Sequence, residues 1–85
     1  MNDADLEQKV LDCFLDVAPD VDAKSLQRNV LFRAQFDFDS MDTLNFALNL
    51  HKAFGIEIPE KDYGRLAGLD DAIAYVRHRK TAPSG

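Results

Sequence analysis

The sequence predicts an all-α fold: one domain of four helices over residues 1–80, with a long loop between the first two helices and a short third helix. Three observations lead there. Apolar residues recur at three- and four-residue spacing in three separate stretches, as in helices that bury one side. Pro19, Gly55 and Pro59 fall between those stretches, where a helix has to stop. No stretch alternates apolar and polar residues as a half-buried strand does, and neither an internal repeat nor a low-complexity block interrupts the chain.

The first helix is expected over residues 3 to 17. Leu6, Val10, Leu11, Phe14 and Val17 form its stripe, and Asp3 and Asp5 suit the positive end of its dipole. Ala18-Pro19 ends it. Residues 18 to 38 show no sustained period and read as a loop, with a short helical turn over Asp22 to Arg28. Leu26, Val30, Leu31 and Phe32 are the residues available to pin that loop to the core. The second helix runs from Ser40 to Phe54, and Gly55 closes it. Ile56 to Pro59 is extended, because a proline biases the residue before it away from helix. A short helix from Pro59 or Glu60 takes in Tyr63 and Leu66, weakened by Gly64. The last helix spans Leu69 to Arg79, with Leu69, Ala72, Ile73 and Val76 inward and Arg77, Arg79 and Lys80 at the negative end of the dipole. The closing residues 81–85, TAPSG, read as a disordered tail.

Composition removes several classes of function. Fifteen acids against ten bases leave a net charge of −5, which disfavours nucleic acid as a partner, since phosphate contacts need a basic face. Cys13 is the single cysteine, so no disulfide staples the small core. One cysteine and two separated histidines, His51 and His78, do not make a zinc site. The acidic start MNDADLEQKV lacks the apolar run of a secretory signal, and no apolar run reaches the length of a membrane span. The expectation is a monomer in the cytoplasm. Cys13 reads as a core filler, His78 as a solvated residue, and Tyr63 and Tyr75 as half-buried with their hydroxyls outward.

On a helical wheel with Met41 at zero, Phe46, Leu50, Phe54 and Ala47 lie between roughly 140° and 240°, a core stripe. Met41, Leu44 and Leu48 lie at roughly 0°, 300° and 340°, a second apolar stripe on the opposite side. A helix in a small bundle needs one such stripe. Either the long loop or the short third helix covers the second, wholly or in part, or it is a contact surface for another protein; the contact surface is the expectation, because the stripe starts at Ser40 and runs up the helix. Asp39 is a good N-cap, which puts Ser40 at the first helical position and its hydroxyl where a phosphate is tolerated. Serine catalysis is a poor reading of the same residue. His51 is three turns away, roughly 16 Å by helix rise, and the glycine-flanked nucleophile elbow is absent.

The stretch DSMDTLNFALNLHKAFGIEIP resembles the core of the acyl carrier protein family. The family's usual pattern is Asp-Ser-Leu/Met at the start of the second helix, then a helix ending in Phe before an extended Glu-Ile-Pro. Here these are Asp39-Ser40-Met41, Phe54 and Glu57-Ile58-Pro59. The closing stretch LDDAIAYVRHR is similar to the family's fourth helix, so the resemblance runs from Leu6 to about Arg79. It implies a four-helix bundle that is not an enzyme, with 4′-phosphopantetheine esterified to Ser40 and Asp39 and Met41 flanking the attachment. It also implies a phosphopantetheinyl transferase as partner, then acyl ligases, synthases or acyltransferases of fatty acid, specialised lipid or secondary metabolism. The surface for these enzymes is expected at Met41, Asp42, Leu44, Asn45, Leu48 and Lys52. No metal is implied.

Two departures from the family pattern stand out. Asp37 and Phe38 occupy the positions before Asp-Ser where glycine and a small residue are usual. The second helix also lacks the usual glutamates: Asn45, His51 and Lys52 stand there, and no acid lies between Thr43 and Ile56. The first leaves less backbone freedom and more bulk beside Ser40; the second points to a specialised carrier with less basic partners. The alternatives are a carrier of aminoacyl or other acids loaded by an adenylating ligase, and a helical interaction module without a prosthetic group.

Overall fold

The computed structural model of the chain describes residues 2–81. Four α-helices and one 3₁₀ helix follow one another: α1 (Asp3–Val17), α2 (Phe32–Gln35), α3 (Ser40–Phe54), the 3₁₀ helix (Glu60–Leu66) and α4 (Leu69–Thr81). There is no strand among the described residues, only an isolated antiparallel bridge between Leu31 and Gly68. The expected bounds of α1 and α3 hold to the residue, and α4 extends two residues further than expected. The rest of the TAPSG tail lies outside the described residues.

Local chemistry explains the helix ends. Asn2 caps α1 by accepting from the Asp5 amide at 2.8 Å, with Asp3 and Asp5 in the first turn. Gly55 ends α3 at φ 66°, the left-handed conformation that glycine adopts without a Cβ penalty, and its amide donates to the His51 carbonyl at 2.8 Å. The short third helix is 3₁₀ rather than α; at seven residues it is long for that form, and Gly64 inside it disfavours the α-helical alternative.

α1 packs on α3 and α4, and the 3₁₀ helix packs on both of the latter. Leu6, Val10, Cys13 and Phe14 of α1 meet Phe46, Ala47, Leu50 and Phe54 of α3 and the inner face of α4. The stripe expected on α4 is buried in full: Leu69, Ala72, Ile73 and Val76.

The loop expected over residues 18 to 38 is ordered by tertiary contacts, and it contains a helix that the sequence did not announce. Phe32, the first residue of α2, has no exposed surface and stacks on Phe14, with ring centroids 4.1 Å apart. Phe46 meets both rings edge-on at 5.8 Å, and Phe38 lies 5.1 Å from Phe32. Such ring pairs add stabilisation beyond their buried area. The Phe32 amide donates to the Ala67 carbonyl, and the Asp70 amide to the Arg28 carbonyl, so the loop is stitched to the start of α4. Gln35 holds the loop from inside, donating to the carbonyls of Gln27 and Val30 and accepting from the Gln27 amide. Arg28 ties it outward to Glu7 and Asp70.

Three expectations for this region and its neighbours need correction. Leu31 does not pin the loop with its side chain, which is 41% exposed; its backbone does so by bridging Gly68. Within Asp22 to Arg28 the structure has a turn at Ala23 to Ser25, closed by the Ser25 amide on the Asp22 carbonyl, and no helix. Tyr75 is buried rather than half-buried, and its hydroxyl finds a partner by donating to Asp62 Oδ2 at 2.8 Å. Burial of this ring is possible because the 3₁₀ helix delivers a carboxylate to its polar end.

Candidate functional site: the start of α3

Ser40 is exposed at the first position of α3, between two carboxylates that cap the helix against each other. The Asp42 amide donates to Asp39 Oδ1 at 2.9 Å, and the Asp39 amide donates to Asp42 Oδ2 at 3.0 Å. Thr43 adds a bond from its hydroxyl to the Asp39 carbonyl at 3.2 Å. This capping box satisfies two amides that the helix itself leaves unpaired. It also fixes the backbone on both sides of Ser40 while leaving its hydroxyl at the surface.

Two clefts open near the start of α3. One, of about 400 Å³, is lined by Ser40 with Arg33, Phe38, Asp39, Thr43, Tyr63, Gly64 and Ala67. The other, of about 460 Å³, lies beyond Phe38 and Asp42 and carries Asp20, Asp22 and Asp37 on its walls. The surroundings of Ser40 are therefore polarised. Four carboxylates, Asp20, Asp22, Asp37 and Asp42, line the second cleft, whereas the cleft that contains Ser40 has one guanidinium, Arg33, and one carboxylate, Asp39.

The apolar stripe of α3 opens from the same point. Met41 is 61% exposed and Leu48 42%, with Leu44 half-buried between them. Leu48 also lines a shallow groove with Ala47, His51, Glu57, Ile58 and Tyr63. Asn45 and Lys52 are exposed on the same helix, and Asp42 is its one acid. Thus Asp39, Met41, Asp42, Leu44, Asn45, Leu48 and Lys52, singled out from the sequence, all lie on the helix that starts at Ser40 or at its cap.

Other titratable groups do not assemble into a catalytic set. The His51 ring is at the far end of α3, its Nδ1 2.6 Å from the Ile56 carbonyl oxygen, so it is no base for Ser40. Cys13 is buried, and its thiol donates to the Asn49 carbonyl while Asn49 returns a bond to the Cys13 carbonyl. Burial, with Asp12 and Asp16 adding to it, pushes the Cys13 thiol up, which keeps it protonated and unreactive at neutral pH. Among the described residues no cluster of His, Cys, Asp or Glu could hold a metal ion, and no helix is long and apolar enough to cross a membrane.

Arg33, Tyr63 and Ala67 are site residues that sequence reasoning did not single out. Arg33 falls in the loop without a period, and Tyr63 stood out only as an aromatic. The available signal was the turn chemistry of Pro59 to Gly64, which brings the 3₁₀ helix back across the start of α3.

Comparison with known proteins gives a consistent picture. Over 77 residues, 91% of this chain and 95% of the relative, the sequence is 31% identical to an acyl carrier protein of Lactobacillus acidophilus. It is 30% identical to an acyl carrier protein of Porphyromonas gingivalis over 86% of this chain and 92% of the relative. A third, from Rubrobacter xylanophilus, is 31% identical over 73% of this chain and 76% of its own length. No family model matches the chain.

Proposed function

The chain belongs to the acyl carrier protein family and is a carrier rather than an enzyme, and from that premise we propose that Ser40 is its attachment site for 4′-phosphopantetheine. One observation carries the assignment: Ser40 is an exposed hydroxyl held between reciprocal caps at the first position of α3. The residues around it fit the group. The hydroxyl is accessible, the N-terminus of α3 favours negative charge, and the cleft of Arg33 and Tyr63 gives the base of a long arm a wall to lie along. When bound, the group supplies a thiol on a flexible arm, to which an acyl group attaches as a thioester. On attachment from coenzyme A, the Ser40 oxygen gives up its proton and replaces adenosine 3′,5′-bisphosphate at phosphorus, one P–O bond forming as the diphosphate P–O bond breaks. Asp39 and Asp42 keep the helix start fixed during that exchange, and Met41 stands beside it as an apolar contact.

The partners on this reading are a phosphopantetheinyl transferase, followed by ligases, synthases or acyltransferases meeting Met41, Asp42, Leu44, Asn45, Leu48 and Lys52. The exposed apolar stripe supports a docking role for this face, and its single acid supports a dedicated pathway whose enzymes do not rely on a strongly basic patch.

Intact-protein mass spectrometry tests the assignment. Apo protein incubated with coenzyme A and a broad-specificity transferase gains one phosphopantetheine mass, and Ser40→Ala gains none. An unchanged mass for the wild type, with an established carrier converted in parallel, refutes it.

A further inference from the structure

Building on Ser40 as the attachment site, we infer that Arg33 is the positioning residue for the phosphodiester, drawing the root of the arm into the cleft it shares with Tyr63 and Ala67 rather than toward the acidic cleft of Asp20, Asp22, Asp37 and Asp42. A phosphodiester on Ser40 adds one negative charge to a place already crowded with it. Asp37, Asp39 and Asp42 lie within three residues, and Asp37 and Asp42 share the far cleft with Asp20 and Asp22. Arg33 is the one basic residue among those lining the cleft that contains Ser40.

Its placement is structural rather than incidental. Phe32, the preceding residue, is fully buried in the aromatic cluster, and the Phe36 amide donates to the Phe32 carbonyl at 2.7 Å, so the Arg33 backbone is fixed while its side chain turns outward.

Other arginines of the fold have work to do. Arg28 pairs with Glu7 and Asp70, Arg79 donates to the Glu57 carbonyl, and Arg65 lies over the Tyr75 ring. None of the hydrogen bonds, ion pairs or ring contacts among the described residues engages the Arg33 guanidinium. Asp39, the acid that lines the same cleft, accepts at Oδ1 from the Asp42 amide. A guanidinium offers parallel donors that match two phosphate oxygens, which a lysine point charge does not.

The test compares apo and holo forms of wild type, Arg33→Gln and Arg33→Lys. Mass spectrometry first establishes that each becomes holo, since Arg33 is not the attachment site. In the wild type, conversion shifts the Arg33 Nε–H resonance, and the ³¹P resonance of the holo protein moves when Arg33 is replaced by Gln. The holo-minus-apo difference in melting temperature is lower in Arg33→Gln by about 1–5 °C at low salt, with Arg33→Lys between the two and the gap closing at high salt. Using the difference within each variant cancels any effect of the substitution on folding itself. An Arg33 resonance identical in apo and holo, with equal melting differences in wild type and Arg33→Gln, overturns the inference while leaving Ser40 as the attachment site. A wild type that never becomes holo removes the premise and the inference together.

Discussion

Asp39 and Asp42 cap α3 against each other, each accepting at a carboxylate oxygen from the other's amide, at 2.9 and 3.0 Å. Ser40 and Met41 lie between them, so the same two bonds that start the helix hold the exposed hydroxyl in place. Replacing Asp39 by Ala leaves the Asp42 amide without its acceptor and costs about 1 kcal/mol of stability. Asp39→Asn, which keeps an acceptor and removes the charge, costs clearly less. Urea melts of the two variants, with hydrogen exchange at the Asp42 amide, separate capping from charge. Equal losses assign the effect to charge instead.

Leu50 and Leu48 sit two residues apart on opposite sides of α3. Leu50 has no exposed surface, while Leu48 is 42% exposed. Leu50→Ala removes a core side chain and is expected to cost about 2–5 kcal/mol, a large share of what holds a small domain together. Leu48→Ala is expected to cost less than about 1 kcal/mol, in the range of surface substitutions with little packing behind them. Thermal or urea melts decide it. Comparable losses contradict a free second stripe and with it the docking role of this face.

Where a helix is long and owns both its stripe and its caps, the residues alone define it. α1 and α3 carry their stop signals in Ala18-Pro19 and Gly55 and their apolar residues at regular spacing, so their ends are legible to the residue. α2 has none of this. It is a single turn whose existence depends on Phe32 reaching Phe14, eighteen positions away, and on Gln35 bonding back to Gln27 and Val30. A contact of that kind leaves no period in the sequence. The burial of Tyr75 is not legible for a related reason: what allows it is Asp62, contributed by another element. Ser40 and the exposed stripe are legible because both lie on one helix. The cleft beside Ser40 was not, because it is assembled from α2, the start of α3 and the 3₁₀ helix.

The Tyr75–Asp62 contact gives the fold a definite response to alkali. Burial of the ring, then the hydrogen bond to Asp62, pushes the Tyr75 hydroxyl above its ordinary value of 10.0, with Arg79 and Arg65 opposing. The neutral phenol is thus favoured by folding. Below the ordinary value both folded and unfolded chains hold the proton, and this contribution is intact. Above it the unfolded chain releases the proton first, so stability falls with rising pH until the folded protein also titrates. Cys13, also raised by burial, adds a fall of the same sign from its ordinary 9.0 upward. Tyr75→Phe removes only the tyrosine share. Its urea midpoint declines less steeply than that of the wild type above about pH 10, although it starts lower by the loss of one buried hydrogen bond, about 1 kcal/mol. Parallel midpoint curves for the two proteins refute the linkage.

Partner choice is expected to reside in Asn45 and Lys52. Both are exposed beside the apolar stripe, and Asp42 is the sole acid on the helix. Lys52 opposes a basic docking patch with like charge, and Asn45 offers such a patch no carboxylate; rejection by repulsion is as effective as loss of attraction. His51 occupies the same region, but its ring lies 2.6 Å from the Ile56 carbonyl, and changing it disturbs the end of α3. The cleaner variant is therefore the pair Asn45→Glu and Lys52→Glu, which makes the face three charges more negative and leaves that contact intact. Association with an enzyme whose carrier-binding patch is basic is expected to become faster at low ionic strength. The gain shrinks as salt shortens the Debye length from about 30 Å at 0.01 M to about 8 Å at 0.15 M. Stopped-flow binding or loading rates for wild type and double variant across that range provide the check. If the rates coincide at low salt, this face does not select partners, and the bulky, charged approach of Asp37 and Phe38 to Ser40 becomes the determinant to vary next.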